Sequence, residues 1–82
     1  MEITPEIEAI LLSQAKDIKE IELTYKNDGK VRGTIRKIRK SPLRMVVQKS
    51  DPEKGERPRH KVVFDHLKQI RIVFSDEAEA IF

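Results

Sequence analysis

The apolar residues change their spacing once along this chain, and that change constrains the fold more than any other feature. Ile7, Ile10, Leu11, Ala15 and Ile18 recur at three- and four-residue steps, which puts them on one face of an amphipathic helix. From Ile21 the step falls to two. Ile21, Leu23 and Tyr25 alternate with Glu22, Thr24 and Lys26, the pattern of a half-buried strand. Thr4 is a good N-cap, and Pro5 falls at the first helical position, where a missing N–H costs nothing. Glu6 and Glu8 occupy the first turn, where the helix dipole favours acids. The spacing predicts a helix over about residues 5–18, too short to stand alone and therefore packed on the strands of the same chain.

Period two continues after a hairpin. Asn27-Asp28-Gly29-Lys30 contains an Asp-Gly pair, a preferred tight turn. In residues 31–38, Val31, Gly33 and Ile35 share one face, and Arg32, Thr34 and Arg36 the other. Ile38 is out of phase with Ile35, which predicts a bulge or sharp bend, and Gly33 marks a bend or close approach. Ser41-Pro42 reads as a turn and residues 43–48 as a third strand. Residues 49–59, with Pro52, Gly55, Pro58 and mostly charged neighbours, read as a mobile surface loop. Strands over 61–64 and 69–74 flank a short turn at Asp65-His66-Leu67. The acidic tail, 75–82, shows weak helical spacing. It is read either as frayed or as a cover for the basic strand, with Ile81 and Phe82 able to dock in a groove of this or another copy.

One helix and five short strands in hairpin order predict a mostly β single domain over residues 1–82. The strands, over about 20–74, would form a small, strongly bent antiparallel barrel with the helix across an open end. Closure would remove the exposed edge strands. The predicted core is Ile7, Ile10, Leu11, Ala15, Ile21, Leu23, Tyr25, Val31, Ile35, Met45, Val47, Val62, Phe64, Leu67, Ile70 and Ile72. With 82 residues that core is small. There is no cysteine, which excludes a disulfide scaffold and a thiolate metal site. No apolar run approaches the roughly 20 residues of a membrane span, and no signal-peptide pattern follows the start, so the expectation is a cytoplasmic protein.

The formal charge is only +3, but it is unevenly spread. Residues 1–20 hold five acids and two bases, and residues 75–82 hold three acids and no base. Residues 29–50 hold eight bases and no acid: Lys30, Arg32, Arg36, Lys37, Arg39, Lys40, Arg44 and Lys49. The first seven of these are the candidate site for an anionic partner, either nucleic acid or an acidic protein surface. The plainer alternative is a solvated face paired within the chain. Tyr25, Phe64 and Phe74 do not interleave with the bases, so the pattern favours backbone electrostatics over base stacking.

Catalysis finds little support. Ser13, Ser41, Ser50 and Ser75 lie in no nucleophile-elbow context. His60 and His66 are the two histidines, and without cysteine they do not close a zinc site. His60 reads as a polar residue closing a loop, and His66 as an exposed turn residue beside Asp65. Gly29 and Gly33 flank a hairpin and precede no helix, so they cradle no phosphate. The expectation is a binding module that is not an enzyme, with no cofactor, no metal and no small-molecule substrate. Self-association through strand edges or the tail is the alternative role.

The order of motifs resembles a known pattern. Ile10-Leu11-Leu12-Ser13-Gln14-Ala15 followed by Ile21-Glu22-Leu23-Thr24-Tyr25 is similar to part of a YolD-like domain. The likeness continues through Asn27-Asp28-Gly29-Lys30-Val31-Arg32-Gly33-Thr34-Ile35 and resumes at His60-Lys61-Val62-Val63-Phe64-Asp65-His66-Leu67, so it covers about residues 7–73. The same order resembles Sm-like barrels more broadly, including Hfq and the WYL ligand-sensing domains. These resemblances imply a five-stranded Sm-like (SH3-like) barrel capped by a helix. They also imply a small bacterial accessory protein beside lesion-bypass DNA polymerases, or an RNA-binding oligomer. Arg39, Val63 and His66 stand where the YolD-like pattern has aspartate, proline and aspartate. That family offers no catalytic residue to carry over.

Overall fold

The computed structural model describes residues 1–50 and 58–82. The elements run α1 (Pro5–Ser13), a 3-10 turn (Ala15–Asp17), β1 (Ile18–Tyr25), β2 (Lys30–Arg39), β3 (Arg44–Lys49), β4 (Arg59–Lys61), a second 3-10 turn (Phe64–His66), β5 (Leu67–Phe74) and β6 (Glu79–Ile81). The strands form one antiparallel sheet in the order β4-β3-β2-β1-β5-β6. Most of the predicted surface loop falls on residues 51–57, outside the described residues.

The mostly β fold with an N-terminal helix agrees with the periodicity. The Thr4 hydroxyl accepts from the Ile7 N–H, as its capping role requires. The helix ends earlier than residue 18. The Ser13 hydroxyl bonds back to the Ala9 carbonyl, and Gln14 closes the last turn onto Ile10. Ala15–Asp17 then tightens into a 3-10 turn, so Ile18, apolar in either reading, opens β1. Ile7 and Leu11 enter the same core as the strands, and the Met1 ammonium donates to the Phe64 carbonyl at 3.2 Å.

Among the described residues nine hydrophobic side chains are buried: Ile7, Leu11, Ile21, Leu23, Met45, Val47, Leu67, Ile70 and Ile72. All belong to the core expected from sequence. Ile10, Tyr25, Val31, Ile35, Val62 and Phe64 are half-buried against it. The phase break in β2 is a bulge: Ile35 faces Val47 and Lys37 faces Val46, which leaves Arg36 as the extra residue. A side chain on Gly33 would collide with the Gln48 carbonyl oxygen, so here the strands approach as closely as only glycine permits.

Four expectations are corrected. Among the described residues the sheet has six strands, not five, and it is not closed into a barrel: β4 is only three residues long and pairs with β3 alone. β5, which closure would have joined to β4, gives its second edge to β6. The fourth strand lies at 59–61, earlier than 61–64, and Phe64 belongs to a 3-10 turn. The tail is neither frayed nor helical: Phe82 exchanges both backbone bonds with Ile70 (3.2 and 2.9 Å) and packs on the core. No helix among the described residues is long and apolar enough to cross a membrane.

Candidate cationic cleft

Alternation along β1, β2 and β5 sends Glu20, Glu22, Arg32 and Arg71 to the face away from the core. Glu22 stands directly opposite Arg32 on one side and Arg71 on the other. Arg32 pairs with Glu20, and Arg71 with Glu79. Lys19 reaches Glu77 at 2.9 Å, and Lys68 reaches Asp28 at 3.3 Å. This half of the outer face is a ladder of alternating charge. The acidic tail completes it by pairing on the β5 side. It does not cover the basic hairpin of β2 and β3, because β5 and β1 lie between.

Past the Arg36 bulge the pattern changes. Lys37 faces Val46 across β2 and β3, and Val46 faces Lys61 across β3 and β4. Two residues along, on the same face, Arg39 and Arg44 face each other directly. Lys37, Arg39, Arg44 and Lys61 thus line one cleft of about 450 Å³, with Met45, Val46 and Val62 completing its wall. Among the described residues no acid forms an ion pair with any of these four. Like charges directly opposed on neighbouring strands are destabilising. Arg39 and Arg44 are so opposed with no ion-pair partner among the described residues, and departures from local rules of this kind are expected at functional or strained sites.

The seven sequence candidates therefore separate. Lys37, Arg39 and Arg44 are brought together. Arg36 at the bulge and Lys40 at the hairpin tip are exposed and form no ion pair among the described residues. Arg32 is neutralised by Glu20. Lys30 lies at the other end of β2, beside Tyr25. Lys61 was missed from sequence, because it joins the cluster only through the β3–β4 pairing.

A second opening lies at that other end, lined by Tyr25, Lys26, Asn27, Gly29, Lys30, Val31, His60, Val63 and His66, with a volume of about 480 Å³. Tyr25 is half-buried, as core membership predicts, but its hydroxyl bonds His60 Nε2 across the sheet. The two rings meet edge to face, 5.5 Å apart at 79°. The Val63 N–H donates to the same hydroxyl at 3.5 Å. Burial, reinforced by Lys49, lowers the His60 pKa. Burial raises that of Tyr25, against a smaller opposite effect of the Val63 N–H. His60 is thus more than a loop closure: it ties β4 to β1, although β3 and β2 lie between them in the sheet order. His66 is exposed in its turn, as expected.

Among the described residues no group of three or more His, Asp or Glu side chains is placed to hold a metal ion. Compared with protein-family models, curated proteins and solved structures, the chain matches none, so the YolD-like and Sm-like resemblance stands on the quoted residues alone.

Proposed function

We propose that this protein is a small, non-enzymatic binding module that grips the phosphate backbone of nucleic acid in the cleft of Lys37, Arg39, Arg44 and Lys61, with Arg36 and Lys40 at its rim. The observation that carries this reading is the convergence of four cations from three strands, two of them directly opposed, with no acid paired to them among the described residues. Cations that neutralise phosphates there release the counterions condensed on the nucleic acid, which makes the affinity fall steeply with salt. Guanidinium groups suit phosphate because their planar fork donates two parallel bonds. The resemblance to YolD-like proteins supports placing this role in the bacterial cytoplasm, as an accessory to DNA-damage tolerance.

The test is a titration with single- and double-stranded oligonucleotides at two salt concentrations, with polyglutamate of matched charge beside them. Nucleic acid is expected to bind at low salt, more tightly than polyglutamate, and to weaken at high salt. No binding at low salt rejects the reading, and preference for polyglutamate redirects it to an acidic protein surface.

A second reading, a protein-interaction or oligomerisation module, is favoured by the terminal strands β4 and β6 and by Ile81, an apolar side chain 58% exposed on β6. Light scattering with and without residues 75–82 decides it: an unchanged monomer counts against self-association.

A further inference from the structure

We propose that the opening beside Tyr25 and His60 receives one unstacked base, so that the ligand is single-stranded nucleic acid running over β4, with its phosphates in the cationic cleft. This rests on the nucleic-acid reading of that cleft. Three observations carry it.

The first is adjacency. Along β4 and the residues after it, His60 and Val63 line the ring-bearing opening, while Lys61 and Val62 line the cationic cleft. The two openings lie on either side of one short stretch of chain. β4 ends the sheet, and no strand among the described residues pairs beyond it. A flexible polyanion crossing this stretch meets both openings at once.

The second is the chemistry of the opening. Tyr25 and His60 supply two aromatic rings set nearly perpendicular, so a planar ring entering beside them meets a face and an edge together. Val31 and Val63 add apolar wall, Val63 being 48% exposed, and Lys26 and Lys30 bring positive charge. Aromatic faces beside cations are the usual means of holding single-stranded nucleic acid, because every base has a π-face.

The third is the distribution of donors. Tyr25 Oη and His60 Nε2 are hydrogen-bonded, and in the tautomer whose Nε2 accepts the Tyr25 O–H the ring proton lies on Nδ1. The Asn27 side-chain oxygen accepts from the Gly29 N–H at 2.9 Å, which leaves its amide NH₂ to donate. With Lys26 and Lys30 the opening offers mainly donors, and base edges are rich in carbonyl and ring-nitrogen acceptors. A base still stacked in a duplex cannot enter without being unpaired first, so the opening selects single strands.

The experiment uses the whole chain and three labelled oligonucleotides of equal length: a single strand, its duplex, and a single strand made abasic at its central positions. Binding is read by anisotropy at one low salt concentration. The ring resonances of Tyr25, the only tyrosine, are followed by NMR in the unaltered protein. The expected result is binding of the intact single strand about tenfold tighter than of the other two, the size that base–aromatic stacking supplies. The Tyr25 ring signals shift with the intact strand only. His60→Ala removes the preference, while Arg44→Glu weakens all three. Equal affinity for the three, with unmoved Tyr25 rings and a loss on Arg44→Glu, overturns the base pocket and leaves the cleft standing. No binding of any oligonucleotide overturns both. Should His60→Ala fail to fold, the ring shifts in the unaltered protein decide alone.

Discussion

Single residues carry much of the curvature and much of the chemistry. At Gly33, β2 approaches β3 so closely that a methyl group there meets backbone, which cannot rotate away. Gly33→Ala is expected to lose about 2–3 kcal/mol in urea melts through forced separation of the two strands. A change under 0.5 kcal/mol, within the usual range of surface substitutions, would show that the approach is not required. His60 sets a pH dependence whose sign is fixed by its surroundings. Its pKa lies below the ordinary 6.5 because burial and Lys49 disfavour the charged ring, so the folded chain binds that proton less readily than the unfolded one. Its contribution to stability is complete above about pH 6.5 and is lost as pH falls through the lower folded value. Tyr25, Lys26, Lys30 and His66 share the opening with it, and none supplies a carboxylate to hold the charged ring. Replacing His60 by Gln should shrink the drop in melting temperature between about pH 7 and pH 5.5. Equal drops in the two proteins would show that His60 does not carry it.

At the scale of elements, the chain builds the same turn twice, and only one of them was legible. In the first hairpin Tyr25 accepts from the Asp28 N–H and donates to the Gly29 carbonyl, while the Asn27 side chain accepts from the Gly29 N–H. In the last hairpin Phe74 accepts from Glu77 and donates to Ala78, while the Asp76 side chain accepts from the Ala78 N–H at 3.0 Å. Asp28 has φ 67 and Glu77 has φ 69. Asp-Gly announces such a turn, whereas Glu-Ala does not. The usable signal was subtler: an aromatic residue followed two positions later by Asn or Asp, whose side chain folds back on the backbone. Because glutamate tolerates the left-handed region poorly, Glu77→Asn is expected to stabilise by up to about 1 kcal/mol in thermal melts, the exposed Lys19 pair being worth little. Destabilisation would mean that the Lys19 contact outweighs the strain. The Ile38 phase break was legible for the opposite reason. A bulge shifts the alternation itself, and alternation is written locally. The β3–β4 pairing was not legible, because a three-residue strand leaves almost no pattern, and with it went the placement of Lys61 and His60.

At the scale of the whole molecule, strand order decides which charges are available. The acidic tail and the acids of β1 gather with Arg32 and Arg71, and the unbalanced bases collect past the bulge, toward β3 and β4. Linear sequence shows one block of eight bases, and the sheet pairs Arg32 with an acid while it gathers Lys37, Arg39 and Arg44 in the cleft. That division makes a quantitative prediction about two arginines of the same block. Each phosphate contact contributes about 0.7 to the slope of log affinity against log salt for a single strand. Arg44 lies in the cleft, so Arg44→Ala should lower that slope by about 0.7 and, by removing the opposition to Arg39, should cost no stability. Arg32 already answers Glu20, so Arg32→Ala should leave the slope unchanged. The two variants lose the same formal charge, so a mere dependence on net charge would lower both slopes equally. Unequal slopes require that the partner read the position of the charge. Equal slopes would reduce the basic block to a solvated face and leave the oligomerisation reading as the stronger one.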